Sequence, residues 1–213
     1  MKKILFVLTI LLSTFSFSQN SDKAKNLLNE VSAKIKSYDN ISLDFKYALE
    51  NTSEQIKQET RGDVTLQGNK YLLNILGQTR LYDGKTLYSI SPEDEEVTIS
   101  NESLDDEDTI SPNKMLSFYE EGYSYTMDIT QNAKGRKIQY VKLTPIDSNS
   151  EIKQVLLGID AQTKHIYNLI EVGKNGTKTT LTVNSFKTNE TLSKSLFTFD
   201  ASKYEDYYIN KLD

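Results

Sequence analysis

His165 is the only histidine of the chain and there is no cysteine, so neither a thiol nucleophile nor a Cys/His metal site can be assembled. Serine chemistry is equally unsupported, because no Gly-x-Ser-x-Gly turn, which would hold a serine exposed between a strand and a helix, occurs in the sequence. His165 follows Thr163-Lys164 in an expected turn and reads as a solvated surface residue. Two acidic runs, Glu93–Glu96 and Asp105–Asp108, lack the Asp-x-Asp-x-Asp-Gly spacing that wraps calcium and read as solvated loops that repel membrane headgroups. The expectation is therefore no catalytic residue, no metal and no cofactor: the chain is not an enzyme, and its chemistry is binding.

Lys2-Lys3, the apolar stretch Ile4–Leu12 and the small-x-small site Ser16-Phe17-Ser18 read together as a secretory signal peptide spanning residues 1–18, cleaved between Ser18 and Gln19. The apolar stretch is well short of the roughly 20 residues that a membrane-spanning helix needs. Cleavage leaves 195 of the 213 residues, one domain large enough to bury about 70% of its unfolded surface. Lys2 and Lys3 leave with the leader, so 23 basic residues face 30 acidic ones and the net charge is −7. No basic patch points to nucleic acid, and the same sign disfavours anionic membrane surfaces. Without a cysteine at the cleavage point the chain cannot carry a lipoprotein-type anchor, so an exported, soluble monomer is expected.

The elements follow from periodicity. Ser21-Asp22 can cap an amphipathic helix with Ala24, Leu27, Leu28, Val31 and Ile35 on one side. After Tyr38-Asp39-Asn40 the period changes to two, with Leu43, Phe45, Tyr47 and Leu49 alternating with polar residues in a half-buried strand. Similar alternation or apolar runs recur at 62–66, 71–76, 78–82, 85–90, 97–100, 123–129, 137–144, 152–160, 165–172 and 177–186, with a final short run at Phe197–Phe199. Gln67-Gly68-Asn69, Asp83-Gly84, Ala133-Lys134-Gly135 and Asn175-Gly176 supply the turns, and Asp-Gly in particular suits the positive φ of a type I′ hairpin. Ser111-Pro112 gives a cap and first-turn proline for a short internal helix bearing Met115, Leu116 and Phe118.

About eleven short strands joined by tight turns predict a mainly β fold of the α+β class, an antiparallel sheet too wide to stay flat. Twist would curl it into an incompletely closed half-barrel, and two helices fill only part of its apolar face. The remainder is a candidate cavity, for which the apolar strand positions are Leu43, Phe45, Tyr47, Leu49, Leu66, Leu87, Ile129 and Leu143. Burial is worth about 0.8 kcal/mol per methylene, so an acyl chain does not cross water unaided and must be given such a hollow. A helix bearing Met115, Leu116 and Phe118 can repack over an empty cavity and is the expected lid.

The ordered set Tyr38-Asp39-Asn40-Ile41, Asp44-Phe45, Gly62-Asp63-Val64-Thr65-Leu66, Asp83-Gly84-Lys85-Thr86-Leu87, Ser111–Leu116, Leu143-Thr144-Pro145 and Phe197-Thr198-Phe199 resembles the outer-membrane lipoprotein carrier (LolA-like) family along nearly all of the mature chain. The family's tryptophan and tyrosine after Asp-Gly-Lys-Thr-Leu are Tyr88 and Ile90 here, and the basic residue and proline that it ties to lid movement are replaced by Gln67-Gly68-Asn69-Lys70. The resemblance implies a single carrier domain over residues 19–213, located in the periplasm. Its partners would be the acyl chains of lipoproteins, an inner-membrane lipoprotein-releasing ABC transporter, and an outer-membrane receptor where one exists. The alternatives left open are a carrier of another lipid or glycolipid, and a regulatory protein that senses lipoproteins.

Overall fold

The computed structural model describes residues 2–101 and 111–212, with side chains from Gln19 onward. The acidic run Asp105–Asp108 and the side chains of the expected leader lie outside the described residues. Twelve strands form one sheet that does not close, with one long helix, α1 (Lys2–Lys36), and one short one, α2 (Pro112–Met115). The strands are β1 (Ile41–Asn51), β2 (Ile56–Gln67), β3 (Lys70–Ile75), β4 (Gln78–Tyr82), β5 (Leu87–Ser91), β6 (Glu96–Ser100), β7 (Tyr123–Ala133), β8 (Arg136–Pro145), β9 (Ile152–Asp160), β10 (Ile166–Gly173), β11 (Lys178–Thr188) and β12 (Tyr208–Leu212). Their spatial order is β12-β6-β5-β4-β3-β2-β1-β11-β10-β9-β8-β7. The chain divides into two compact units, residues 37–118 with 180–213 and residues 1–36 with 119–179.

In the first unit, β1 to β6 form a run of antiparallel hairpins. Directly opposed residues share a face, so the register defines rows across the strands. One row is Ile41-Leu66-Tyr71-Tyr82-Leu87, the next is Leu43-Val64-Leu73-Arg80-Ser89, and the third is Phe45-Gly62-Ile75-Gln78. On the other face Ser42, Asp44 and Lys46 of β1 oppose Thr65, Asp63 and Arg61 of β2, so over these strands the alternation seen in sequence separates an apolar side from a polar one. The sides exchange at β4. There the second face carries Leu81, Tyr88, Ile90, Val97 and Ile99, while the first carries Arg80, Ser89 and Thr98.

The C-terminal segment covers that second apolar patch. Phe199 stacks on Tyr88 at 4.4 Å and 10°, Tyr204 stacks on Phe199 at 5.4 Å, and Tyr207 meets Tyr204 edge-on. Beyond this stack β12 joins β6 in parallel. Sequence reading expects only antiparallel pairing and a strand at Phe197–Phe199; instead that segment is loop, buried through Phe197, and the last strand lies further on. No hairpin dictates the direction of β12, because a long irregular segment precedes it. Tyr38-Asp39-Asn40 holds the start of the same segment: Asn40 Nδ2 donates to the Glu190 carbonyl (2.9 Å), Asn40 Oδ1 accepts from Glu190 N (3.0 Å), and Asn189 Oδ1 accepts from Asp39 N (2.8 Å).

In the second unit α1 packs along β7, burying Ala24, Leu28 and Val31. Asn20 Oδ1 accepts from Met127 N, Ser32 Oγ meets the Tyr119 phenol at 3.1 Å, and Glu30 pairs with Lys164 at 2.7 Å, so the helix is tied at β7, ahead of it, and at the β9–β10 turn. The helix runs on from Lys2 without a break, so Ser21-Asp22 lies inside it and does not cap it. Alternation in β8 and β9 buries Val141, Leu143, Val155, Leu157 and Ile159 almost completely. In the β9–β10 turn Asp160 Oδ1 accepts from Gln162 N and Thr163 N, and Arg136 approaches its other oxygen at 3.9 Å. Burial pushes the Asp160 carboxyl up, but these backbone donors and Arg136 outweigh it and hold it below its ordinary range.

Candidate functional site

Six of the eight predicted cavity positions fall in the first unit, and the register places them on a single face. Leu43 and Phe45 are buried there, together with Leu66 and Leu87, while Tyr47 and Leu49 oppose Thr60 and Gln58 and are half-buried. The apolar area is thus continuous from Ile41 to Phe45 and turns polar toward the β1–β2 hairpin. Ile129 and Leu143 belong to the second unit. Leu143 is fully buried beside Val155, whereas Ile129 is 55% exposed next to the irregularity after Met127.

Gly62 decides how Phe45 lies. A Cβ at that position would come within 2.7 Å of Phe45 Cζ and 2.6 Å of the Asn74 carbonyl oxygen, so the phenyl ring rests on the bare glycine of the neighbouring strand. The alternation at 62–66 does not by itself assign this role; a glycine inside a strand pattern is the signal for such close approach. Val64, Leu73, Tyr71 and Tyr82 complete the surface, the last two with their rings stacked at 5.6 Å.

α2 sits against β2 and β3. Ser111 caps it by accepting from Lys114 N at 3.2 Å, and Pro112 is buried at its first turn, as the sequence signal implies. A helix bearing Met115, Leu116 and Phe118 is expected, but α2 ends at Met115: Leu116 follows it and Phe118 opens a separate 3-10 turn (Phe118–Glu120), and all three residues are half-buried. Asn113 Nδ2 donates to the Asn69 carbonyl (3.2 Å) and Asn69 Nδ2 to the Gly84 carbonyl (3.2 Å), so the β2–β3 turn joins the short helix to the Asp-Gly turn. That last turn is not type I′. Only Gly84 has positive φ, and Asp83 Oδ1 accepts from Lys85 N and Thr86 N, closing a four-residue connection through its side chain.

A separate hollow of about 390 Å³ opens beside α1 in the second unit, with Leu28, Ser32, Tyr119 and Tyr125 among its walls. Burial pushes the Tyr119 phenol up to about 12, and Lys36, 2.9 Å from Glu120, lowers that carboxyl. His165 is half-buried, not solvated, because its turn packs against α1; burial and nearby Lys34 lower its pKa against the opposing pull of Asp160.

An open sheet with one extended apolar face and a short helix at its margin defines a binding fold of the carrier class. The family model described as outer membrane lipoprotein carrier protein LolA matches residues 36–200. The chain belongs to that family of periplasmic, non-enzymatic carriers. Solved structures of similar fold include LprF from Mycobacterium bovis (14% identity, 82% of this chain and 98% of that one, TM-score 0.54). An uncharacterized conserved protein from Thermus thermophilus also matches (10%, 89% and 99%, 0.57), as does a LolA superfamily protein from Nitrosomonas europaea (16%, 83% and 97%, 0.43). At these identities the likeness to the first two shows the fold alone. No curated protein matches the chain. Among the described residues no helix is long and apolar enough to cross a membrane, and no group of acidic, histidine or cysteine side chains could hold a metal ion.

Proposed function

We propose that residues 19–213, freed of a signal peptide, act as a periplasmic carrier for the acyl chains of lipoproteins. The chains would be received from an inner-membrane releasing ABC transporter and handed on toward the outer membrane, to a receptor where one exists. The observation that carries this reading is the apolar face built by Leu43, Phe45, Val64, Leu66 and Leu73, with α2 against β2 and β3 and Met115, Leu116 and Phe118 half-buried in and just after it. Such a face gives each methylene about 0.8 kcal/mol of burial. Transfer needs no chemistry, only successive hollows of rising affinity. α2 serves as the lid because it is one short turn held by a cap and a side-chain amide, and such an element repacks at little cost.

Phe45→Glu tests the face directly. A carboxylate there must be desolvated to admit a chain, so a tripalmitoylated peptide should no longer bind while the far-ultraviolet spectrum stays β. Undiminished retention of the peptide would reject this face as the site. A carrier of a different lipid is the second reading, favoured by Gln67-Gly68-Asn69-Lys70, which stands in place of the family's basic residue and proline. Mass spectrometry of the material that co-purifies from native periplasm separates the two.

A further inference from the structure

Arg80 stands at the edge of the apolar face, where that face turns polar. The register sets it directly opposite Leu73 and in one row with Leu43 and Val64, with buried Tyr82 two residues along the same strand. Its side chain is half-buried, and among the described residues its guanidinium makes no hydrogen bond or ion pair. On its far side Ser89 opposes it, and next to Ser89 lies a hollow of about 270 Å³ walled by Gln78, Ser89, Ser91, Asp94, Glu96 and Thr98. The two carboxylates of this hollow are already engaged: Asp94 accepts from Ser91 Oγ (2.7 Å), and Glu96 accepts from Thr98 Oγ1 (3.0 Å) and Asn210 Nδ2 (3.4 Å). The guanidinium is thus the charge on this face left over for a ligand, at the seam between a hydrocarbon surface and a polar recess.

We propose that Arg80 reads the headgroup of the carried lipid, which is an acyl lipid bearing a phosphate. The inference rests on the carrier reading in its second form, a carrier of a different lipid, because the acylated cysteine of a lipoprotein bears no phosphate, and it adds polarity to that reading. The chain lies over Leu43, Val64 and Leu73, and the phosphate takes the planar fork of the guanidinium, which matches two phosphate oxygens at once. Ser89 offers a hydroxyl donor on the polar side. The net negative charge of the protein opposes binding to anionic membrane surfaces but does not cancel one partly desolvated cation at short range.

Palmitoyl-lysophosphatidic acid and monopalmitoylglycerol, which differ only by the phosphate, supply the test by displacement of the neutral probe N-phenyl-1-naphthylamine. The wild-type protein is expected to prefer the phosphate form by roughly tenfold, the scale of one charge-assisted contact. Arg80→Gln should bring the two lipids within about twofold of each other without weakening the neutral one, and Arg80→Lys should keep part of the preference. Ser89→Asp, which places a carboxylate opposite Arg80, should remove the preference by occupying the guanidinium from within, and serves if Arg80→Gln folds poorly. A preference that survives both Arg80→Gln and Ser89→Asp, or a wild-type protein indifferent to the phosphate, overturns the assignment and leaves the carrier reading standing. Binding of neither lipid overturns both.

Discussion

The contact between Phe45 and Gly62 makes a quantitative prediction. An alanine methyl at position 62 would sit 2.7 Å from the Phe45 ring and 2.6 Å from the Asn74 carbonyl, both far inside van der Waals separation. Overpacking of this kind costs about 1–3 kcal/mol. Taking about 2 kcal/mol, a chain of this size should melt roughly 4–8 °C lower. The ring is the yielding partner and the carbonyl is not, so truncation of Phe45 should relieve only part of the strain. Phe45→Ala alone should cost about 3–5 kcal/mol. The double variant should then be less destabilised than the sum of the single ones by about 1 kcal/mol, a coupling measurable by urea denaturation of all four proteins. Strict additivity, or a Gly62→Ala protein as stable as the parent, would refute the idea that the ring lies on the glycine.

Other outcomes follow from the same geometry. Burial raises the pKa of half-buried Glu171 above its ordinary value, so its carboxylate weakens the fold once ionised. Glu171→Gln should raise the melting temperature at pH 7, and the gain should vanish below the ordinary carboxylate range, where both side chains are neutral. Asp160 has the opposite sign: its lowered pKa gives stability that is present above its unfolded value and lost as pH falls through the folded one. Asp160→Asn should therefore cost about 1–2 kcal/mol at pH 7, and the two melting curves should converge in acid. Tyr88→Ala removes the first ring of the aromatic stack, and limited proteolysis should then cut within residues 190–207 faster than in the parent; unchanged cleavage would show that the stack does not hold the segment.

Alternation made β1 and the hairpins that follow legible, because a period of two is a local property of side chains facing one half-buried surface. Ser111-Pro112 likewise marked α2, since capping and a first-turn proline act within four residues. Three features escaped for physical reasons. The parallel β12 depends on pairing between Glu96–Ser100 and Tyr208–Leu212, more than a hundred residues apart, and no turn chemistry encodes it. The exchange of apolar sides at β4 becomes visible only when the register aligns Leu73 with Arg80 and Leu81 with Tyr88. Asp-Gly announced a turn but not its type, because the Asp83 carboxylate closed the loop and left positive φ to Gly84 alone. Of the predicted cavity positions, those on β1, β2 and β5 share a face, whereas the runs that contain Ile129 and Leu143 carried no information about which side of which unit they would occupy.

The stacked rings of Tyr88, Phe199 and Tyr204 give the terminal stretch a role resembling that of a permanently tethered ligand. Supplied on the same chain, it shields the grease on the reverse of β4 to β6 at an effective concentration that no diffusing molecule matches. That reverse side is thereby withheld from stray hydrophobic guests.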